Sequence, residues 1–185
     1  MLASLKSACL VRGNEFPIFP KGTNPVPKRG AEDWLLDFRR AFLDAGTARD
    51  VAKEFWDAYE SRFPFRIAVV EMGSVPLVGS LLAEGLARGK RTDAVILRKS
   101  RKKDGLCNVV EGRPGNGETP VILVDDIVNS GNSLAKALGT AKNENLPVRE
   151  VFCVCHFRNP NFAETMERAG FSGMPVRALF SLADF

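Results

Sequence analysis

The sequence predicts an α/β fold, a parallel sheet with helices on both faces. Three observations carry that reading. Apolar segments follow one another in the order strand, helix, strand, loop, strand, helix, strand, the pattern of a parallel sheet joined by crossover helices. Residues 121–124 are four consecutive aliphatics, as in a strand buried on both faces. A length of 185 residues suits one compact domain with a sizeable apolar core, expected over residues 1–185.

In chain order, residues 1–11 are interrupted by Lys6, and the longest apolar runs, at 121–124 and 151–155, are far too short to span a bilayer. A cytoplasmic protein without a membrane partner is expected. From 31 to 45 the apolar residues Leu35, Phe38, Phe42 and Ala45 recur at helical spacing, and Thr47 opens a second helix with Val51, Phe55 and Tyr59 on one stripe. Residues 66–70 read as the first core strand. A glycine turn, Met72-Gly73-Ser74, leads into a helix from 75 to about 88 with Val75, Val78 and Leu82 facing inward. Residues 94–97 are a second strand, and 98–120 a long polar loop, of the length that is usually functional or mobile. The strand at 121–124 precedes a helix with Leu134, Ala137, Leu138 and Ala141 on one face, and a strand over 148–155 closes the series.

Hydrophobic residues at 45% and charged residues at 26% are ordinary for a soluble globular protein and favour neither a disordered nor a fibrous chain. Cys9, Cys107, Cys153 and Cys155 have one histidine, His156, to join them, and Cys153 and Cys155 lie in an apolar strand. Buried, reduced thiols are expected rather than zinc ligands or a disulfide. The net charge of +4 suits nucleic acid or a small polyanion. Eight basic residues lie between 88 and 103: Arg88, Lys90 and Arg91, then Arg98, Lys99, Arg101, Lys102 and Lys103. No aromatic residue is interleaved with the second group to stack bases, so a local phosphate task suits it better than a nucleic-acid face.

The segment Val121-Ile-Leu-Val-Asp-Asp-Ile-Val-Asn-Ser-Gly-Asn-Ser133 carries the chemistry. A buried strand ends in two acids and passes through a loop of small residues into a helix. Ligands of open α/β sheets bind at such carboxyl ends. Asn129, Ser130, Gly131, Asn132 and Ser133 allow close backbone approach, so N–H groups can meet one phosphate where the helix dipole is positive. Asp125 and Asp126 can accept from vicinal hydroxyls of a ribose whose phosphate sits in that loop. A plain turn and helix cap would explain the small residues, but would leave two adjacent carboxylates repelling each other. The chain has neither a Gly-x4-Gly-Lys-Ser/Thr loop nor a Gly-x-Gly-x-x-Gly after a strand, which disfavours nucleotide hydrolases and dehydrogenases.

That segment resembles the PRPP motif of type I phosphoribosyltransferases, with Asn129 where threonine is usual. The resemblance implies the phosphoribosyltransferase fold with a small hood from residues 1–30 and 156–185, PRPP bound by Asp125, Asp126, Ile127 and the loop through Ser133, and a homodimer. It implies Mg2+ bridging substrate oxygens and water near Asp125 and Asp126, with no direct protein ligand. Val70-Glu71-Met72-Gly73-Ser74-Val75-Pro76 stands where the family binds pyrophosphate. Arg98-Lys99-Ser-Arg-Lys102-Lys103-Asp-Gly105 is similar to the mobile loop of orotate phosphoribosyltransferases, expected here over 98–118, and makes Lys102 the catalytic lysine. Arg98, Lys99 and Lys103 join it on pyrophosphate, with Gly105 and Gly112 suited to loop motion. His156-Phe157-Arg158-Asn159 stands where those enzymes have Asp-Arg, making Arg158 a candidate for the base. Phe16-Pro-Ile-Phe-Pro-Lys21-Gly22 is similar to their hood segment, adding Lys21.

Three functions follow from these residues. The first is transfer of phosphoribose from PRPP to orotate or a related nitrogen heterocycle, releasing pyrophosphate. The second is the same transfer to a different base, for which Asp104, Phe157 and the absence of Tyr-Lys before the pyrophosphate turn speak. The third is a non-catalytic PRPP-sensing regulatory protein whose basic loop contacts nucleic acid, against which no helix-turn-helix or other appended binding domain is visible.

Overall fold

The computed structural model describes residues 2–12, 34–98, 109–113 and 115–185. Helix α1 (Leu2–Cys9) runs into strand β1 (Leu10–Arg12), which pairs antiparallel with β2 (Trp34–Leu36) in a separate two-stranded sheet. Helices α2 (Phe38–Phe42) and α3 (Ala45–Tyr59) follow. This corrects the helix expected over 31–45. Leu35, Phe38 and Phe42 are spaced as in a helix only because they straddle a junction. The Asp37 carboxylate accepts the Arg39 N–H at 3.2 Å to start α2, and Asp44 accepts the Thr47 N–H at 2.8 Å to start α3.

The main sheet begins with β3 (Arg66–Val70), and a 3-10 turn at Val75–Leu77 then leads into α4 (Val78–Ala87). Next come β4 (Ala94–Leu97), β5 (Val110–Glu111), β6 (Val121–Val128), α5 (Asn132–Asn143), β7 (Val148–His156), α6 (Phe162–Arg168) and β8 (Val176–Ser181). Six strands lie in the order β5-β4-β3-β6-β7-β8, with β5 antiparallel to β4 and every other neighbouring pair parallel. The C-terminal segment, expected in a hood, therefore supplies the edge strand β8 of the main sheet. Residues 13–30 of the other expected hood segment lie outside the described residues.

The consecutive aliphatics are explained by burial on both faces. Ile67, Val69, Ile122, Val124, Phe152 and Val154 point into one core, shared with α1 to α4. Ala68, Val70, Val121, Leu123, Val151 and Cys153 point into the other, beneath α5 and α6. Leu134, Ala137, Leu138 and Ala141 form the buried stripe of α5, as their spacing predicts. Along the 3-10 turn and α4 the inward stripe is Leu77, Leu81 and Gly85, whereas Val75, Val78 and Leu82 are only partly buried. Trp56 sets that rotation. Its fully buried indole donates to the Leu81 carbonyl at 2.7 Å, and its ring occupies the space a side chain at Gly85 would need. Around it Phe55, Tyr59, Phe65 and Phe152 pack ring on ring, each buried ring contributing roughly 1.5–3 kcal/mol by area plus up to about 1.5 for favourable ring pairing.

Cys9, Cys153 and Cys155 are buried free thiols, while Cys107 lies outside the described residues. Desolvation pushes Cys9 up to about 11 and Cys155 up to about 12, so both stay protonated and unreactive near neutrality. No helix among the described residues is long and apolar enough to cross a membrane.

Candidate functional site

From β3 the chain winds outward to β4, and from β6 it winds the opposite way through β7 to β8. The reversal falls between β3 and β6, where a crevice opens at the strands' carboxyl ends. A cavity of about 290 Å³ lies there. Glu71 and Gly73 line it from the tip of β3, Asp125 and Asp126 from β6, Ser133 from α5, and Asp37 and Arg39 from the start of α2. A larger hollow of about 650 Å³ lies beside Arg66 and Asp93 at the amino end of the sheet, away from the paired acids.

The acids are set by the strand itself. Asp125, 5% exposed, accepts the Asp126 N–H at 3.0 Å, and Asp126 accepts the Ile127 N–H at 2.9 Å. Asp126 lies over the Cα of Gly73, so close that a methyl group there would collide with its whole carboxylate. The tips of β3 and β6 are clamped by the fully buried Ser74. Its hydroxyl accepts the Val70 N–H at 3.1 Å and is within donating reach of the Val70 and Val124 carbonyls, at 2.9 and 3.1 Å. The Ser74 side chain is thus spent inside the sheet, while Met72 is exposed.

The loop after β6 turns on Gly131, whose φ of +85° suits glycine and whose back packs on Phe162 and Met166 of α6. No side chain caps the start of α5, so its first N–H groups remain available to an anion. Asn132 donates to the Ser130 hydroxyl at 3.0 Å, and Asn159 donates to the Asn129 carbonyl oxygen at 2.8 Å.

Arg98 stands at the end of β4, 3.5 Å from both Glu71 and Glu111. Its Nε is buried, yet that contact to Glu71 is too poorly aligned to be a hydrogen bond. Arg39 and Asp37 are the pair that sequence reasoning missed. Arg39 meets Asp37 through two hydrogen bonds, of 2.8 and 3.2 Å, within the cavity that holds Asp126. The Arg39 hydrogen bond holds the Asp37 carboxyl below the usual carboxylate range. An Asp-x-Arg after a short apolar run was the available signal.

The structure therefore brings Glu71, Met72, Gly73, Asp125, Asp126, Ile127 and Ser133 around one cavity, with Ser74 buried behind it and Arg98 3.5 Å from Glu71, while Asn129, Ser130, Gly131 and Asn132 are not among its lining residues. Arg158 is not in that cavity. It lines a neighbouring one of about 350 Å³ with His156 and Ser181, at the ends of β7 and β8, with its backbone at φ +51°. Lys21, Lys99, Lys102 and Lys103 lie outside the described residues. Acids at a strand tip beside an uncapped helix start can hold a polyhydroxyl group and a phosphate side by side.

No protein-family model matches the chain. It is similar to the orotate phosphoribosyltransferase of Thermoplasma volcanium, 31% identical over 144 residues, or 78% of this chain and 80% of that protein. Among solved structures it resembles a phosphoribosyltransferase from Corynebacterium diphtheriae, with a TM-score of 0.73 at 21% identity over 99% of this chain and 94% of that one. It also resembles the Mycobacterium tuberculosis orotate phosphoribosyltransferase in complex with PRPP, with a TM-score of 0.64 at 23% identity over 80% of this chain and 81% of that one. The six-stranded, mostly parallel sheet is the fold of these structures.

Proposed function

The chain belongs to the orotate phosphoribosyltransferases, a branch of the type I phosphoribosyltransferases, and from that premise we propose that it transfers phosphoribose from PRPP to orotate and releases pyrophosphate. One observation carries this reading. The acids of the β6 tip, the turn after β3 and the uncapped start of α5 converge where the sheet reverses direction. A ribose 5-phosphate with a diphosphate on C1 has the three matching parts. The structural relative from Mycobacterium tuberculosis that holds PRPP supports the assignment.

In this mechanism the bond from ribose C1 to a diphosphate oxygen breaks, and a new bond forms to a ring nitrogen of the acceptor. Positive charge grows on the sugar and negative charge on the leaving group, so the protein acts by positioning and electrostatics. Asp125 and Asp126 accept from the ribose hydroxyls and hold the ring. The N–H groups at the start of α5 hold the 5-phosphate, where the dipole contributes a few tenths to about 2 kcal/mol. The turn Glu71-Met72-Gly73-Ser74 offers its backbone to pyrophosphate. Arg98, with Lys99, Lys102 and Lys103 on the segment that follows it, neutralises the leaving group, Lys102 being the catalytic lysine.

Mg2+ would be held chiefly by substrate oxygens and water near Asp125 and Asp126, whose carboxylate oxygens are hard acceptors for its bound water. Among the described residues no group of three or more acids, histidines or cysteines is placed to hold a metal by itself. Bound there, Mg2+ supplies neutralisation of the diphosphate. Arg158, from the neighbouring cavity, and Lys21 contact the acceptor, and the enzyme is a cytoplasmic homodimer.

A second reading, transfer to a different base, is favoured by Phe157 before Arg158, where the family motif has aspartate. Turnover of PRPP against orotate, purines and other pyrimidines tests both. Pyrophosphate release with orotate alone supports the first reading, release with another base alone supports the second, and no release with any base contradicts transfer.

A further inference from the structure

We propose that Asn159 is a positioning residue that fixes the Asn129 side-chain amide with its NH2 group presented to a substrate oxygen. This rests on the reading of the 129–133 loop as part of the PRPP site. The orientation follows from a chain of hydrogen bonds with one fixed end. The Asn161 backbone N–H can only donate, and it meets Asn159 Oδ1 at 2.9 Å, an Asx turn leading into α6. That leaves Asn159 Nδ2 as the atom facing Asn129, and it donates at 2.8 Å to Asn129 Oδ1. The Asn129 carbonyl is then occupied, so its two N–H bonds face away from Asn159 as donors. The same α6 buttresses the loop from behind, since Phe162 and Met166 pack on Gly131. Asn159 follows directly on Arg158, whose φ of +51° turns the chain back toward the loop.

The usual threonine hydroxyl can donate or accept, whereas Asn129 held this way only donates. The group it meets is therefore a hydrogen-bond acceptor, such as an oxygen on a phosphate of PRPP or on the acceptor heterocycle, and not an exocyclic amine. Asn159 touches neither substrate and acts through Asn129.

The test uses the full chain and its variants Asn159→Asp and Asn159→Ala, with PRPP affinity measured by calorimetry in magnesium, KM for orotate, and melting temperature. Aspartate keeps the Asx turn, because its carboxylate still accepts the Asn161 N–H. It also accepts from Asn129, which flips and presents its carbonyl to the substrate. Asn159→Asp should keep the wild-type melting temperature, yet weaken one of the two substrates by about 10-fold or more, since it sets two acceptors face to face. Asn159→Ala should melt lower and weaken the same substrate by about 3- to 10-fold. A change in PRPP affinity places the oxygen on PRPP, and a change in KM for orotate alone places it on the acceptor. Wild-type values for both substrates in Asn159→Asp, with PRPP binding intact in the unmodified chain, would overturn the positioning role. Absence of PRPP binding in the unmodified chain would overturn the underlying site.

Discussion

The carboxylate of Asp126 rests on the bare Cα of Gly73, so that the tip of β6 and the turn after β3 share one volume. Gly73 matters here for the close approach rather than for its backbone angle. In Gly73→Ala the added methyl group drives the Asp126 side chain off its site. The carboxylate is only partly buried and can swing outward, so the fold should survive with little change in melting temperature. PRPP affinity should fall by about 10-fold or more, equivalent to about 1.4 kcal/mol. Calorimetry beside a melting curve separates the two effects, and unchanged affinity would mean that Asp126 is not held where PRPP needs it.

Ser74 makes the opposite case, a residue within the site whose side chain serves the fold. Ser74→Ala removes the hydroxyl that accepts the Val70 N–H and lies within donating reach of the Val70 and Val124 carbonyls at a fully buried point. The expected cost is about 1–3 kcal/mol, read as a drop of several degrees in melting temperature. PRPP affinity should weaken with it, because the two strand tips are no longer clamped. An unaltered melting temperature would show that the clamp contributes nothing.

His156 gives a pH dependence with a defined sign. It is the one histidine of the chain, and burial, followed by the charge of Arg158, holds its pKa below 6.5. Between 6.5 and that lower folded value the unfolded chain binds more protons than the folded one. Stability therefore falls as pH drops through this window and is unaffected by this group above it. Asp37, held low by its Arg39 hydrogen bond, and Asp184, held low by the Ser181 N–H, lose their contribution only at more acidic pH, below about 4. Urea unfolding between about pH 7.5 and 5.5 should show the decline in wild type and a flatter profile in His156→Asn. An imidazole titration by NMR at or above 6.5 would contradict it.

What the sequence disclosed depends on how far apart the interacting residues lie. The strand at 121–124 and the α5 stripe were legible because each pattern, an unbroken aliphatic run in one and a helical period in the other, lies within one segment. The paired acids and the small-residue loop were legible for the same reason, being contiguous. Residues 34–36 misled, because Leu35, Phe38 and Phe42 fit a helical stripe while Asp37 separates a strand from a helix. The turn of α4 onto Leu77, Leu81 and Gly85 depends on Trp56, more than 20 residues upstream, and no local pattern encodes it. The Asn159 contact to Asn129 spans 30 positions, and Arg39 reaches the cavity of Asp126 from a different layer. Such contacts are properties of the folded chain.

The central claim is that Asp125 and Asp126 hold the ribose of PRPP. The measurement that bears on it most directly is calorimetric titration of PRPP, with magnesium, into the double variant Asp125→Asn, Asp126→Asn. The amides keep the shape of the site and remove both acceptor charges, so binding should be abolished while the variant still melts cooperatively. PRPP affinity equal to that of the unmodified chain would contradict the account.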